Sequence, residues 1–161
     1  MSNTEHLFFG IDFDPNSKEP INFLETRLTD LSPFSAHEVE VDGVVFKTAE
    51  HAYQALRVIP SARGEVASAR SPMDAWRAGQ KCKERGEIVP GFDKDVLMEM
   101  ILRAKLVQHA DIREVLLATG DRELLKVYDT DYYWGTGADG TGENRMGKLW
   151  MKLREELQTN D

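Results

Sequence analysis

A lone cysteine, Cys82, in 161 residues excludes an internal disulfide and any cysteine-rich metal site, so a reducing compartment is the expected setting. No stretch approaches the ~18 consecutive apolar residues of a membrane helix. The opening MSNTEHLFFGIDFDP has no basic segment running into an apolar one, so neither a signal peptide nor a span is expected and the cytoplasm is. Four histidines, His6, His37, His51 and His109, show no HExxH or comparable spacing. No metal, no cofactor and no Ser-His-Asp triad is therefore expected. Cations are outnumbered, 20 Lys plus Arg against 28 Asp plus Glu, for a net charge of −8 and a pI near 5.1. That balance excludes a broad electrostatic footprint for duplex DNA, and any anionic ligand must be held by a local cluster.

What is present suffices for one core. Hydrophobic residues make up 41% of the chain and no repeat or linker divides it, which predicts a single domain over 1–161. Asp42-Gly43 separates Val39 and Val41 from Val45 and Phe46, the signature of a β-hairpin. After Thr48 the spacing turns helical: Ala49, Ala52, Tyr53, Leu56 and Ile59 recur before Pro60. Ser71, Pro72 and Asp74 set a cap, a first-turn proline and an N-terminal acid in order, predicting a helix over about 72–81 that ends near Gly86. Val96, Leu97, Met100, Ile101 and Ala104 mark a further helix, and another runs from about Asp111 to Thr119-Gly120. Leu124 to Tyr128 fits a strand or a helix equally. A last amphipathic helix carries Met146, Leu149, Trp150, Leu153 and Leu157. The fold class expected is α+β, N-terminal hairpins followed by a mainly helical body.

The segment from Tyr132 to Lys148 invites two nucleotide-site matches, and both fail. Gly135, Gly137 and Gly140 spell GxGxxG, but too little chain remains for the parallel unit that motif opens. Gly142 to Lys148 spells GxxxxGK, but Leu149 stands where a magnesium-binding Ser or Thr is needed. What survives is a loop whose glycines let backbone approach a ligand, an Asn144-capped helix start whose N–H groups face an anion, and adjacent aromatics able to stack on a heterocycle. The bland reading, a surface loop with Trp134 in the core, stands beside it. Glu50, in a first helical turn beside Tyr53 and Gln54, reads from position alone as a solvated acid favoured by the helix dipole. Asp129 and Asp131 would share a face if extended, although turn-forming Asp residues are commoner.

Taken together these segments resemble the NADAR family, named for NAD and ADP-ribose, which includes bacterial and plant N-glycosidases acting on riboflavin-pathway intermediates. Phe8-Phe9-Gly10 resembles the family's N-terminal aromatic strand, and Leu31-Ser32-Pro33-Phe34 its LSNF signature. Thr48 to Ala55 resembles its EHxYQ helix and Leu102-Arg103-Ala104-Lys105-Leu106 its LRAKF segment. Thr119-Gly120-Asp121, Asp131 to Gly137, Gly142 to Asn144, Gly147-Lys148, Met151 and Arg154 complete the C-terminal signature. Three positions depart from it: Pro33 for Asn, Phe92 near the place of a tryptophan, and Lys126 where an acid often precedes the DYYWG motif.

The resemblance implies cleavage of a ribosyl C–N bond, whose oxocarbenium-like transition state needs a carboxylate for the cation or the water and help for the departing base. It makes Glu50 and Asp131 the catalytic candidates, expected in one cleft with Trp134. It makes Phe9, Gly10, Tyr53, Arg103, Lys105, Tyr133, Trp134, Gly135 and Asn144 the substrate-binding candidates, the aromatics stacking on the base and the cations and glycine loop holding phosphate. The implied partner is a phosphorylated ribosyl-base substrate, a phosphoribosylamino-pyrimidine or an ADP-ribosylated base such as guanine in nucleic acid. A non-catalytic ADP-ribose- or nucleotide-binding module is the alternative.

Overall fold

The computed structural model describes residues 16–160, so the expected Phe8-Phe9-Gly10 strand and the site candidates Phe9 and Gly10 lie outside the described residues. In chain order the elements are β1 (Ile21–Asn22), β2 (Val39–Val41), β3 (Val44–Phe46), α1 (Ala49–Arg57), α2 (Arg63–Ala67), α3 (Pro72–Glu84), α4 (Lys94–Gln108), α5 (Ala110–Ala118), β4 (Leu124–Leu125) and α6 (Arg145–Thr159), with 3-10 turns at Thr26–Leu31 and Pro60–Ala62. The chain is α+β, and it divides into two compact units, Pro33–His109 and Met1–Ser32 with Ala110–Asp161. No helix among the described residues is long and apolar enough to cross a membrane.

In Pro33–His109 the hairpin forms where expected. Val39 pairs with Phe46 and Val41 with Val44 in antiparallel register, and Asp42 and Gly43 both take the positive φ that a tight two-residue turn of this hand requires. Thr48 then caps α1, its hydroxyl accepting the His51 N–H at 3.2 Å. This helix is buried continuously from Ala49 to Ala55 because α2, α3 and α4 all pack against it. The small Ala49, Ala52 and Ala55 admit those neighbours, and the enclosure carries Glu50, His51 and Gln54 inside with them. Glu50 is 5% exposed, so the solvated reading of this residue gives way. His51 is satisfied by the Thr48 hydroxyl at 2.8 Å and the Ala69 carbonyl at 2.9 Å, as buried polar groups must be. The helix after Ser71 starts on that side chain, which accepts from the Asp74 N–H, and runs three residues past the expected 81.

In the other unit the undecided Leu124 segment is a strand. β4 pairs in parallel with β1, Ile21 opposite Leu124 and Asn22 opposite Leu125. α6 packs on β4 and on α5, and its fully buried Trp150 donates its indole N–H to the Leu31 carbonyl at 2.7 Å. Gly147 is what lets α6 approach: a Cβ there would overlap the Leu124 carbonyl oxygen and the Asn144 amide. Arg154 is buried among carbonyl and hydroxyl acceptors, donating to Arg122 O and Thr119 Oγ1 at 2.8 and 2.9 Å. Its desolvation draws its proton affinity below the ordinary arginine value.

Candidate active site

In Pro33–His109, Glu50 is held through its backbone and through its carboxylate. The Pro33 carbonyl accepts the Glu50 N–H at 3.0 Å, so the proline standing in the family's asparagine position ties the segment to the start of α1 through its backbone. One turn along, Gln54 Nε2 donates to Glu50 Oε1 at 2.8 Å. Behind Gln54 lies Gly79 of α3, where any Cβ would overlap the Gln54 amide oxygen. A carboxylate that is nearly dry and held by an amide can take a proton from a water or face a developing cation.

Tyr53 sits on the same helix at 3% exposure. Burial pushes its phenol up to about 12, with the negative charges of Glu50 and Asp95 adding to the rise and the nearby Arg57 guanidinium opposing it. Phe92, near the place of the family's tryptophan, lies 6.4 Å from the Tyr53 ring, tilted by 56°. The two cations proposed from the LRAKF segment part company. Arg103 is exposed, with the Glu99 carboxylate 3.9 Å away on the same face of α4. Lys105 is fully buried and donates to Ser35 Oγ at 2.6 Å, which binds it to the segment after Pro33.

In the other unit, Asp131 organises the aromatic loop. Its Oδ1 accepts the backbone N–H groups of Trp134 at 2.8 Å and Tyr133 at 3.2 Å, and its Oδ2 meets the Lys126 ammonium at 2.7 Å. Partial burial alone would raise this carboxyl. The Lys126 ammonium and the two N–H groups outweigh it and hold Asp131 below its ordinary 3.8, ionised at neutral pH. Lys126, a departure in the sequence, is therefore the counter-charge of Asp131. Tyr133 and Trp134 meet edge to face at 4.9 Å, both half-buried, and the Arg145 guanidinium lies 5.3 Å from the Tyr133 ring centre.

The start of α6 differs from expectation. Asn144 takes a left-handed conformation, φ 49°, and does not cap the helix. Its side chain instead spans β4, donating to the Leu124 carbonyl and accepting from the Lys126 N–H, each at 2.9 Å. The N–H groups of Arg145 and Met146 donate to the carbonyls of Tyr133 and Trp134 at 3.1 and 3.0 Å, and Asn144 N–H to Gly135 O at 2.9 Å. The donors expected to face an anion thus lace the helix to the aromatic loop. Asp131, Tyr133, Trp134, Gly135 and Asn144 are brought together, as are Glu50 and Tyr53.

The pairing of Gln54 with Glu50 and the approach of Arg57 to Tyr53 were not among the expectations. Both follow at i+4, the spacing that makes helical neighbours, and that signal was available. Gly79 had none, because its neighbour lies on another helix.

Residues 17–158 match the NADAR domain, a stretch that runs through both units. The chain is 40% identical over 144 residues to N-glycosidase YbiA of Escherichia coli strain K12, covering 85% of this chain and 88% of that protein. It is 36% identical over 133 residues to an N-glycosidase of Nostoc punctiforme, covering 79% and 84%. A riboflavin biosynthesis protein of Vibrio vulnificus is 33% identical over 145 residues, which are 88% of this chain and 39% of that longer protein. The solution structure of Escherichia coli YbiA superposes with a TM-score of 0.78 at 37% identity, over 89% of this chain and 88% of that one. With ordered motifs, a matching domain and a matching fold in hand, the chain belongs to the NADAR family.

Proposed function

We propose that the protein is an N-glycosidase, a hydrolase that cleaves the ribosyl C–N bond of a phosphorylated ribosyl-base substrate in the cytoplasm, with 1–161 acting as one domain. The observation that carries this reading is the buried, amide-held Glu50 carboxylate in a chain whose relatives of 36–40% identity are named N-glycosidases. In the reaction the C–N bond breaks with its electron pair leaving on the base nitrogen, water adds to the anomeric carbon, and the water proton passes by way of a carboxylate to the departing nitrogen, which frees the base and restores the carboxylate. Glu50 takes that proton or orients the water. Asp131, kept ionised by Lys126, serves as the fixed anion that favours positive charge on the ribose, which leaves it no proton to donate. Tyr53, Tyr133 and Trp134 offer ring surface to the base, while Gly135 and Asn144 shape the loop that holds the latter two.

Two substrate classes share the ribose, the phosphate and a stacked base: phosphoribosylamino-pyrimidines and ADP-ribosylated guanine. Incubation with each, followed by mass spectrometry, tests the reading. Free base with the matching sugar phosphate or ADP-ribose from either substrate supports an N-glycosidase and selects the class. Binding of both with release of neither base identifies a binding module instead.

A further inference from the structure

A second feature of Pro33–His109 borders Tyr53 and Phe92 and adds cations that have no part in the assignments above. Tyr53, Arg57, Lys83, Ile88, Phe92 and Lys94 line a surface cavity of about 230 Å³. It is assembled from α1, the end of α3, the start of α4 and the loop between those two helices. Main-chain pairing builds its wall, because Ile59 N–H donates to Glu87 O and Val89 N–H to Arg57 O, both at 2.9 Å, with Val58 bridged to Ile88. Three of the six lining side chains are cationic and none is acidic, in a protein of net charge −8.

The decisive atoms belong to Arg57. Its guanidinium lies 6.0 Å from the Tyr53 ring centre. Its Nε and Nη2, however, are buried with no hydrogen-bond partner among the described residues. Buried charged donors are almost always paired, so two adjacent unmatched N–H groups of one planar fork mark the place of a missing bidentate acceptor. Nε and Nη2 form the edge of guanidinium that matches two oxygens of a phosphoryl group. The volume is the room of roughly eight waters, enough for a phosphate and part of a sugar, with Tyr53 and Phe92 as its apolar side.

We propose that Arg57, with Lys83 and Lys94, forms a phosphoryl-binding subsite beside the Tyr53–Phe92 ring pair. It rests on the ribosyl-substrate reading for its role in catalysis but not for its existence. The phosphoryl group is either the substrate's own or free inorganic phosphate, and the two are separable by affinity.

The test is calorimetric titration of the full chain with ribose 5-phosphate, inorganic phosphate and unphosphorylated ribose. The wild type is expected to bind ribose 5-phosphate, and Arg57→Gln to weaken that binding tenfold or more. The exposed pair Lys83→Gln with Lys94→Gln, which leaves the buried fork in place and the fold undisturbed, is expected to weaken it several-fold, with ribose showing no such dependence. Ribose 5-phosphate binding more tightly than phosphate supports a sugar-phosphate subsite, and equal affinity supports a site for free phosphate. Absence of binding to the wild type, or affinity that neither variant changes, overturns the proposal. No turnover enters these readouts, so they stand or fall apart from glycosidase activity.

Discussion

Tyr53 carries a phenol that the fold keeps neutral far into the alkaline range, from an ordinary 10.0 to about 12, chiefly by burial. A proton held more tightly in the folded than in the unfolded state stabilises the fold fully below pH 10.0, and that contribution fades as the pH rises from there toward 12. At about 1.4 kcal/mol per unit the tyrosine contributes roughly 2–3 kcal/mol, lost in that window. Denaturant midpoints measured upward from about pH 9 should fall in the wild type and fall distinctly less in Tyr53→Phe. Parallel declines would show that another group governs the alkaline limb. Gly79 makes a second prediction at this scale. An alanine there gains helix propensity of up to ~1 kcal/mol but displaces the Gln54 amide that holds Glu50. Turnover should drop roughly tenfold, the worth of one hydrogen bond to a charged group, while the thermal midpoint moves little. Unchanged kcat in Gly79→Ala would remove Gln54 from the positioning of Glu50.

Among the elements, those with local signals were legible. The Asp42-Gly43 turn, the Ser71-Pro72 start of α3 and the apolar spacing of α6 are each written within a few residues. β4 was not, because a two-residue strand has no period and its partner, Ile21, lies about a hundred residues earlier. Glu50 read as solvated because its own helix shows an amphipathic pattern, whereas its burial comes from three other helices packing around α1. Asn144 read as a cap for the same reason: its residue type and place suit one, but β4 supplies stronger partners for its amide. Lys126 read as an anomaly until its ion pair with Asp131 was visible. That pair holds the aromatic loop to the end of β4, and it sets an acid limit. Asp131, depressed below 3.8 when folded, stabilises the fold above that value and ceases to as the pH falls through its folded value. Lys126→Met should raise the folded value and bring acid unfolding to a higher pH, followed by near-ultraviolet dichroism of Tyr133 and Trp134. An acid midpoint that does not move would mean that the backbone N–H groups alone keep Asp131 ionised.

For the whole molecule, net charge and function pull in opposite directions. A chain of charge −8 repels anions at long range, so the proposed phosphorylated substrate would have to be held by short-range cations. The NADAR match runs through both compact units, one carrying Glu50 and the other Asp131. In the proposed mechanism Glu50 is a reacting group. Release of free base from a saturating phosphorylated ribosyl-base substrate, compared between wild type and Glu50→Gln of equal thermal stability, tests that most directly. Loss of a general base or charge-stabilising carboxylate costs on the order of 10²–10⁴ in rate, so the account predicts a fall in kcat of that size with substrate binding retained. A Glu50→Gln protein that folds, binds and releases base at the wild-type rate would contradict it.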